Sequence, residues 1–186
     1  SPEGNISLSI AFADREFDVP ISIATGILVK DALTEVFNLD SIKLKWPNDL
    51  VFEKKKIGGI LVEKEVFSNY TKAIVGIGIN LELDKKESWW GDFGDLNGKN
   101  LRDKIINKIL VKFEALFRDG LNDWKNLWNQ SCIHNDAIIS VARNDEIIKG
   151  KYLGINDSGE LLLEKKIGEI ISFSSGEVSI KGIYNK

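Results

Sequence analysis

Lys45-Trp46-Pro47-Asn48-Asp49 is followed by Lys56 and then by Gly58-Gly59-Ile60-Leu61-Val62-Glu63, so a primary amide, a carboxylate and an ammonium fall close in sequence to two adjacent glycines. An ammonium beside exposed backbone N–H groups suits an anion, such as a phosphate or a carboxylate about to be activated. That chemistry needs a carrier that turns sharply. Ile42, Leu44 and Trp46 form an extended apolar run, and Pro47 then fixes φ and removes a ladder donor, while Asn48 and Asp49 favour a turn. The strand breaks there. Leu50-Val51-Phe52, a charged tip from Glu53 to Lys56 and the returning glycine-containing run read as a β-hairpin with a flat patch that a ligand can approach along the backbone. Asn48 and Asp49 at its entry then face Lys56 on the returning strand. The charge pattern alone leaves a second reading open, a solvated tip in which Glu53, Lys54, Lys55 and Lys56 keep the turn soluble.

A second glycine pattern follows. From Thr71 to Leu83 the residues Ala73, Val75, Ile77, Ile79 and Leu81 fall on one strand face and Gly76 and Gly78 on the other, so a flat ring or a second backbone can rest on the bare face. The third glycine and following helix of a dinucleotide fingerprint are lacking. Upstream, Ile6, Leu8, Ile10 and Phe12 alternate as a half-buried strand over residues 6 to 12. Asp18 or Pro20 opens a helix with Ile23, Ile27, Ala32, Leu33, Val36 and Phe37 on its apolar stripe, ending before Asn38. Residues 84 to 99 read as a long loop whose Trp89, Trp90 and Phe93 are expected to anchor it to the body rather than close over a ligand. Asn100 is the expected cap of a helix carrying Leu101, Ile105, Ile109, Phe113, Leu116 and Phe117, stopped by Gly120, and a shorter helix with Leu121, Trp124, Leu127 and Trp128 follows. His134, the sole histidine, has no neighbouring nucleophile and is given no catalytic role.

From Asp136 the texture changes to short strands at 137–142, 146–153, 161–164, 169–173 and 178–180, separated by turns at Arg143-Asn144-Asp145, Asn156-Asp157-Ser158-Gly159 and Ser174-Ser175-Gly176. This punctuation predicts a small SH3-like barrel. With 186 residues, 43% hydrophobic and 28% charged, the chain suits one globular core plus a small second module. A net charge of -3 disfavours a nucleic-acid partner. The single Cys132 excludes an intrachain disulfide and shows no metal-ligand spacing, which makes the cytoplasm the expected location; neither a bilayer-spanning run nor a leader is expected.

The ordered set of Lys45 to Asp49, Lys56, Gly58 to Glu63 and Gly76-Ile77-Gly78-Ile79-Asn80 closely resembles the biotin protein ligase family, over nearly the whole chain from Ser1-Pro2 to Gly176-Glu177-Val178-Ser179. The resemblance implies an α+β fold: a mixed β-sheet flanked by helices, of the class II aminoacyl-tRNA synthetase and biotin ligase type, over residues 1–133, and a small SH3-like β-barrel over 134–186. It implies that ATP and biotin, with Mg²⁺ accompanying the nucleotide, give biotinyl-5′-AMP and pyrophosphate, after which a specific lysine of a biotin carboxyl carrier protein domain takes the acyl group.

Carried over by the resemblance, Lys56 would contact biotin's carboxylate and the activated phosphate, where a placed ammonium offsets crowded negative oxygens. Asp49 would sit at the adenylate, orienting the incoming amine or helping to hold Mg²⁺. Lys56, Gly59, Ile60, Leu61 and Gly76 would line the biotin pocket, Asn48, Asn80 and Lys181 would approach the nucleotide, and no protein-built metal site is expected. The family's Gly/Arg-rich loop and a further biotin-binding segment lie upstream of the position matching Ser1-Pro2, and the four arginines, Arg15, Arg102, Arg118 and Arg143, are scattered. No repressor-type DNA-binding domain is expected within these 186 residues. Rival readings are a lipoate ligase or acyl transferase of the same fold, and an inactive biotin-binding fragment. A homodimer paired through sheet edges is a further expectation.

Overall fold

The structure, a computed structural model, describes residues 5–13, 17–68, 71–84, 87–143, 146–175 and 178–181. In chain order the first half contains β1 (Ile6–Ala13), α1 (Ile21–Phe37), β2 (Lys43–Lys45), β3 (Asp49–Phe52), β4 (Lys55–Val66), β5 (Thr71–Ile79), α2 (Arg102–Asp119) and α3 (Trp124–Ser131). The five strands form one sheet in the order β1-β5-β4-β3-β2. Neighbouring strands pair antiparallel, and among the described residues parallel pairing is seen as two isolated bridges, Leu44 with Cys132 and Lys56 with Trp90.

Period-2 alternation decides what each face meets. Ile60, Val75, Ile77 and Ile79 are buried against the helix layer, whereas Gly59, Gly76 and Gly78 occupy the opposite face. Helix α1 is apolar around most of its circumference because it is enclosed: Ile23, Ile27, Leu28, Val29, Ala32 and Leu33 are all buried. The β3–β4 hairpin closes through Glu53 and Lys54, both at positive φ (50° and 59°), the two-residue left-handed turn that matches strand twist.

The loop after β5 is partly ordered by 3₁₀ turns at Gly94–Leu96 and Gly98–Leu101. Asn100 therefore does not cap α2. It lies inside the second 3₁₀ turn and donates Nδ2–H to Asn97 Oδ1 at 2.7 Å, and Leu101 precedes the helix without a side-chain cap bond. The tighter turn takes up the orphan N–H groups that a cap would otherwise satisfy.

The second half is β6 (Ile138–Arg143), β7 (Glu146–Ile155), β8 (Leu161–Lys166), β9 (Glu169–Phe173) and β10 (Val178–Lys181), in the antiparallel order β10-β6-β7-β8-β9. Its inner residues Val141, Ile148, Tyr152, Leu161, Leu163 and Phe173 share one buried cluster with α1, α3 and the first sheet. Trp128 Nε1–H donates to Tyr152 Oη at 3.0 Å, and Trp46 Nε1–H donates to the carbonyl of Gly159 at 2.9 Å in the β7–β8 turn. The expected turn residues Asn144, Asp145 and Gly176 lie outside the described residues, as do Ser1 and Pro2.

Candidate active site

Pro47, behind a cis Trp46–Pro47 bond, separates β2 from β3 and brings Lys45 and Asp49 opposite one another in the ladder. Asp49 also pairs with Gly59 across β3 and β4, so its side chain meets Lys56 on the returning strand. The result is a linear array. Lys56 Nζ contacts Asp49 Oδ1, and Lys45 Nζ lies 3.4 Å from Asp49 Oδ2. Lys45 and Asp49 are buried, whereas the Lys56 side chain is about one-third exposed (32%). Burial lowers the Lys45 ammonium from its usual range, with the Asp49 charge opposing and Lys56 adding to that shift.

Glycine gives Lys56 its room. A Cβ on Gly59 would sit 3.5 Å from both Cε and Nζ of Lys56, and one on Gly58 would fall 2.3 Å from the carbonyl oxygen of Gly78. Asn48 and Asn80 brace the same place. Asn48 Nδ2–H donates to the Ile60 carbonyl at 2.7 Å, and Asn80 donates its backbone N–H to Ile57 at 2.8 Å and Nδ2–H to Gly91 at 3.1 Å.

Two cavities open on this bare sheet face and meet at Gly59 and Gly78. One, of about 720 Å³, is bounded by Lys56, Asn80, Leu83, Asp84, Trp89 and Trp90. The other, of about 260 Å³, lies over Gly76 and Ile77, between Ser7 and Ser9 of β1 and Asn48, Ile60 and Leu61. Its floor follows from register: Ser7, Gly78 and Gly59 form one cross-strand row, and Ser9, Gly76 and Leu61 the next. Leu61 is thereby 62% exposed although apolar, on the open face.

The loop aromatics divide between two tasks. Phe93 is buried, stacking on Phe37 and Phe52 at centroid distances of 4.2 and 5.6 Å, which is anchoring as expected. The segment of Trp89 and Trp90 is anchored through its backbone, pairing with β4 (Lys56 N–H to Trp89 O and Gly91 N–H to Lys56 O, both 2.9 Å), and both residues also line the larger cavity. Asn5 and Asp92 hold this wall. Asn5 Oδ1 accepts from the backbone of Leu81 and Glu82, and Asp92 Oδ2 from that of Leu83. Sequence pattern could not have found Asn5, since its work is to satisfy N–H groups 76 and 77 residues away.

Of the nine positions named from the sequence, Lys56, Gly59 and Asn80 border the larger cavity, and Asn48, Gly59, Ile60, Leu61 and Gly76 the smaller. Asp49 lies behind Lys56. Lys181 is described only as a backbone position on β10 opposite Ser140, and its side chain lies outside the described part. His134 is buried beside Tyr152, and burial first, then the Lys45 charge, pushes its pKa down to about 4. Among the described residues no group of three or more His, Cys, Asp or Glu side chains is placed to hold a metal.

Residues 1–80 match the profile of the Biotin/lipoate A/B protein ligase family, and residues 138–181 match that of the Biotin protein ligase C terminal domain, together about two-thirds of the chain. The chain belongs to the biotin protein ligase family. Among members of the family it is 28% identical over 173 residues to the bifunctional ligase/repressor BirA of Salmonella typhimurium, covering 88% of this chain and 53% of that one. It is 26% identical over 181 residues to biotin–protein ligase 2 of Arabidopsis thaliana, covering 87% and 55%. The chain spans about half the length of the curated relatives it matches. The apo structure of the Aquifex aeolicus biotin protein ligase superposes with a TM-score of 0.74 at 25% identity, over 96% of this chain and 83% of that one. The same ligase in complex with biotin and ATP gives 0.70 at 24%, over 94% and 78%. The fold class is therefore α+β, with an SH3-like second sheet.

Proposed function

We propose that the chain carries the catalytic part of a biotin protein ligase, which activates biotin with ATP to biotinyl-5′-AMP and transfers it to a specific lysine of a biotin carboxyl carrier protein domain. The observation that carries this reading is the junction of two cavities at glycines beneath one ammonium, Lys56. The smaller cavity, floored by Gly59, Gly76 and Gly78 with Ile60 and Leu61 alongside, suits a flat, apolar acid with its carboxylate towards Lys56. The larger, walled by two indoles with Asn80 at its base, suits a nucleotide, its base lying against aromatic surface. A carboxylate oxygen attacks the α-phosphorus, pyrophosphate leaves, and the ammonium offsets the charge that accumulates between them. The carrier's lysine amine then attacks the acyl carbon, releasing AMP and a proton.

Asp49 enters as the counter-ion that aims Lys56, because Lys45 and Lys56 already engage its two oxygens. With both Asp49 oxygens engaged by lysines, Mg²⁺ is read as the companion of the ATP phosphates. A ligase unit over 1–133 and a carrier-facing or stabilising unit over 134–186, a cytoplasmic location and a homodimer joined along a sheet edge belong to the same reading. In support of a protein partner rather than nucleic acid stands the net charge of -3, and no helix of the described residues is long and apolar enough to cross a membrane. The nearest alternative acid is lipoate, against which the biotin-type C-terminal match argues.

Biotin-dependent exchange of labelled pyrophosphate into ATP tests the first chemical step, with lipoate as the parallel acid. Exchange with biotin that falls by roughly 10³-fold in Lys56→Ala is the expected result. Exchange with lipoate instead, or neither exchange nor binding of a non-hydrolysable biotinyl adenylate, overturns the reading.

A further inference from the structure

We propose that Lys45 is a positioning residue for the ligase reaction: it shares Asp49 with Lys56, so that Lys56 is free to turn from Asp49 to the oxygens of the acid and the phosphate. The proposal rests on the ligase reading above and adds a residue to it. Lys56 and Asp49 alone would be a neutral pair, and drawing Lys56 towards an anion would leave a buried carboxylate without its cation. Lys45 removes that obstacle. Its Nζ lies on the other carboxylate oxygen, at 3.4 Å, so the three groups together carry one net positive charge and Asp49 keeps a cation when Lys56 moves.

The two lysines are placed for unequal tasks. Lys56 is the more exposed and borders the larger cavity, whereas Lys45, 9% exposed, sits on β2 at the inner end of the array. The strand carrying Lys45 is fixed on both sides. Ile133 N–H donates to the Leu44 carbonyl at 2.8 Å, and the adjoining Trp46 ring is tied to Gly159. His134 lies close enough to feel the Lys45 charge and is held neutral by burial, so it adds no second positive charge beside it. An exposed cation at this position would be screened; a buried one acts at full strength on its neighbour. The second sheet thus contributes to the site by fixing the position of Lys45.

The test measures the affinity of inorganic pyrophosphate by calorimetry and the chemical shift of the Lys56 amine by NMR of labelled lysine, in the whole chain. Lys45→Met is expected to weaken pyrophosphate by about tenfold and to displace the Lys56 amine signal from its wild-type position, because one neighbouring positive charge on the shared carboxylate is gone. Lys45→Met combined with Asp49→Asn removes both charges, restores the net charge, and is expected to recover affinity to within about threefold of the wild type. Lys45→Arg is expected to bind as the wild type does. Thermal melting checks folding, and where Lys45→Met fails to fold the double variant carries the test. Unchanged pyrophosphate affinity and an unmoved Lys56 amine signal in Lys45→Met overturn the proposal, as does a folded double variant without recovery. If the wild-type chain shows neither exchange nor pyrophosphate binding, it is the ligase reading that falls, and the Lys56 amine signal in Lys45→Met against the wild type still decides the role of Lys45.

Discussion

Both sheets expose one face, and they fill it oppositely. On β7 the outward positions are Ile147, Lys149, Lys151 and Leu153, all exposed, long side chains standing over buried Ile148 and Tyr152. On β4 and β5 the corresponding outward positions include Gly59, Gly76 and Gly78, standing over buried Ile60, Val75, Ile77 and Ile79. The inward halves obey the same rule, because each must fill a core at close packing. The outward halves differ because one needs only solubility while the other leaves space in which a ligand can lie. The proposed chemistry lies where alternation continues but the side chains stop.

Gly58 provides the severest test of that contrast. Its Cβ would fall 2.3 Å from the Gly78 carbonyl oxygen and 3.3 Å from the Cα of Ile79, and backbone atoms cannot rotate away. Gly58→Ala is expected to destabilise folding by about 3 kcal/mol, measured by urea denaturation, since overpacking against backbone has no cheap relaxation. Gly59 is the complementary case. A Cβ there meets the flexible end of Lys56 at 3.5 Å and the Asn48 carbonyl oxygen at 3.7 Å, both ordinary contact distances. Gly59→Val is expected to leave the melting temperature within a few degrees while reducing biotin-dependent exchange by about 100-fold, because Lys56 is displaced from the seam. If Gly59→Val unfolds the chain and Gly58→Ala does not, the assignment of faces is wrong.

These two glycines also mark how far the sequence could be read. Alternation around Gly76 and Gly78 and the break at Pro47 identify the bare face and the hairpin directly, since both depend on neighbours within a few residues. The register shift between Leu50 and Val51, which sets how Lys56 and Gly58 face β3, leaves no local mark. Neither does the clamp of Asn5 on Leu81 and Glu82, nor the place of Trp89 and Trp90 in the lining of the larger cavity. Those depend on chain segments meeting from far apart. Lys45 was visible as a residue of the motif, but its part as a second cation on Asp49 required the ladder pairing of β2 with β3.

Buried beside Tyr152 of the second sheet, His134 adds a pH dependence to the comparison. Burial holds it neutral, with a pKa of about 4 against the ordinary 6.5. The unfolded chain therefore binds a proton that the folded chain refuses over that interval. Stability contributed by the neutral imidazole is fully present above the unfolded value and is lost as pH falls from about 6.5 towards 4. From pH 7 to pH 5.5 the loss is expected to be about 1 kcal/mol. Urea unfolding of the wild type and of His134→Leu across that range checks it; parallel curves for the two proteins would show that His134 does not carry the dependence.

The smallest effect belongs to the filled outward face. Ile147 is 67% exposed on β7, and its neighbour across the ladder is Ala142. Removing its apolar surface exposes little that was not already in water, while the buried alternation beneath it is untouched. Ile147→Ser is expected to change stability by no more than about 0.5 kcal/mol and to leave pyrophosphate exchange unaltered. The same measurements that condemn Gly59→Val would then pass Ile147→Ser, although both alter an outward position of a twisted antiparallel sheet. A loss of exchange in folded Ile147→Ser would place functional surface on the second sheet, and the division of labour between the two open faces would have to be redrawn.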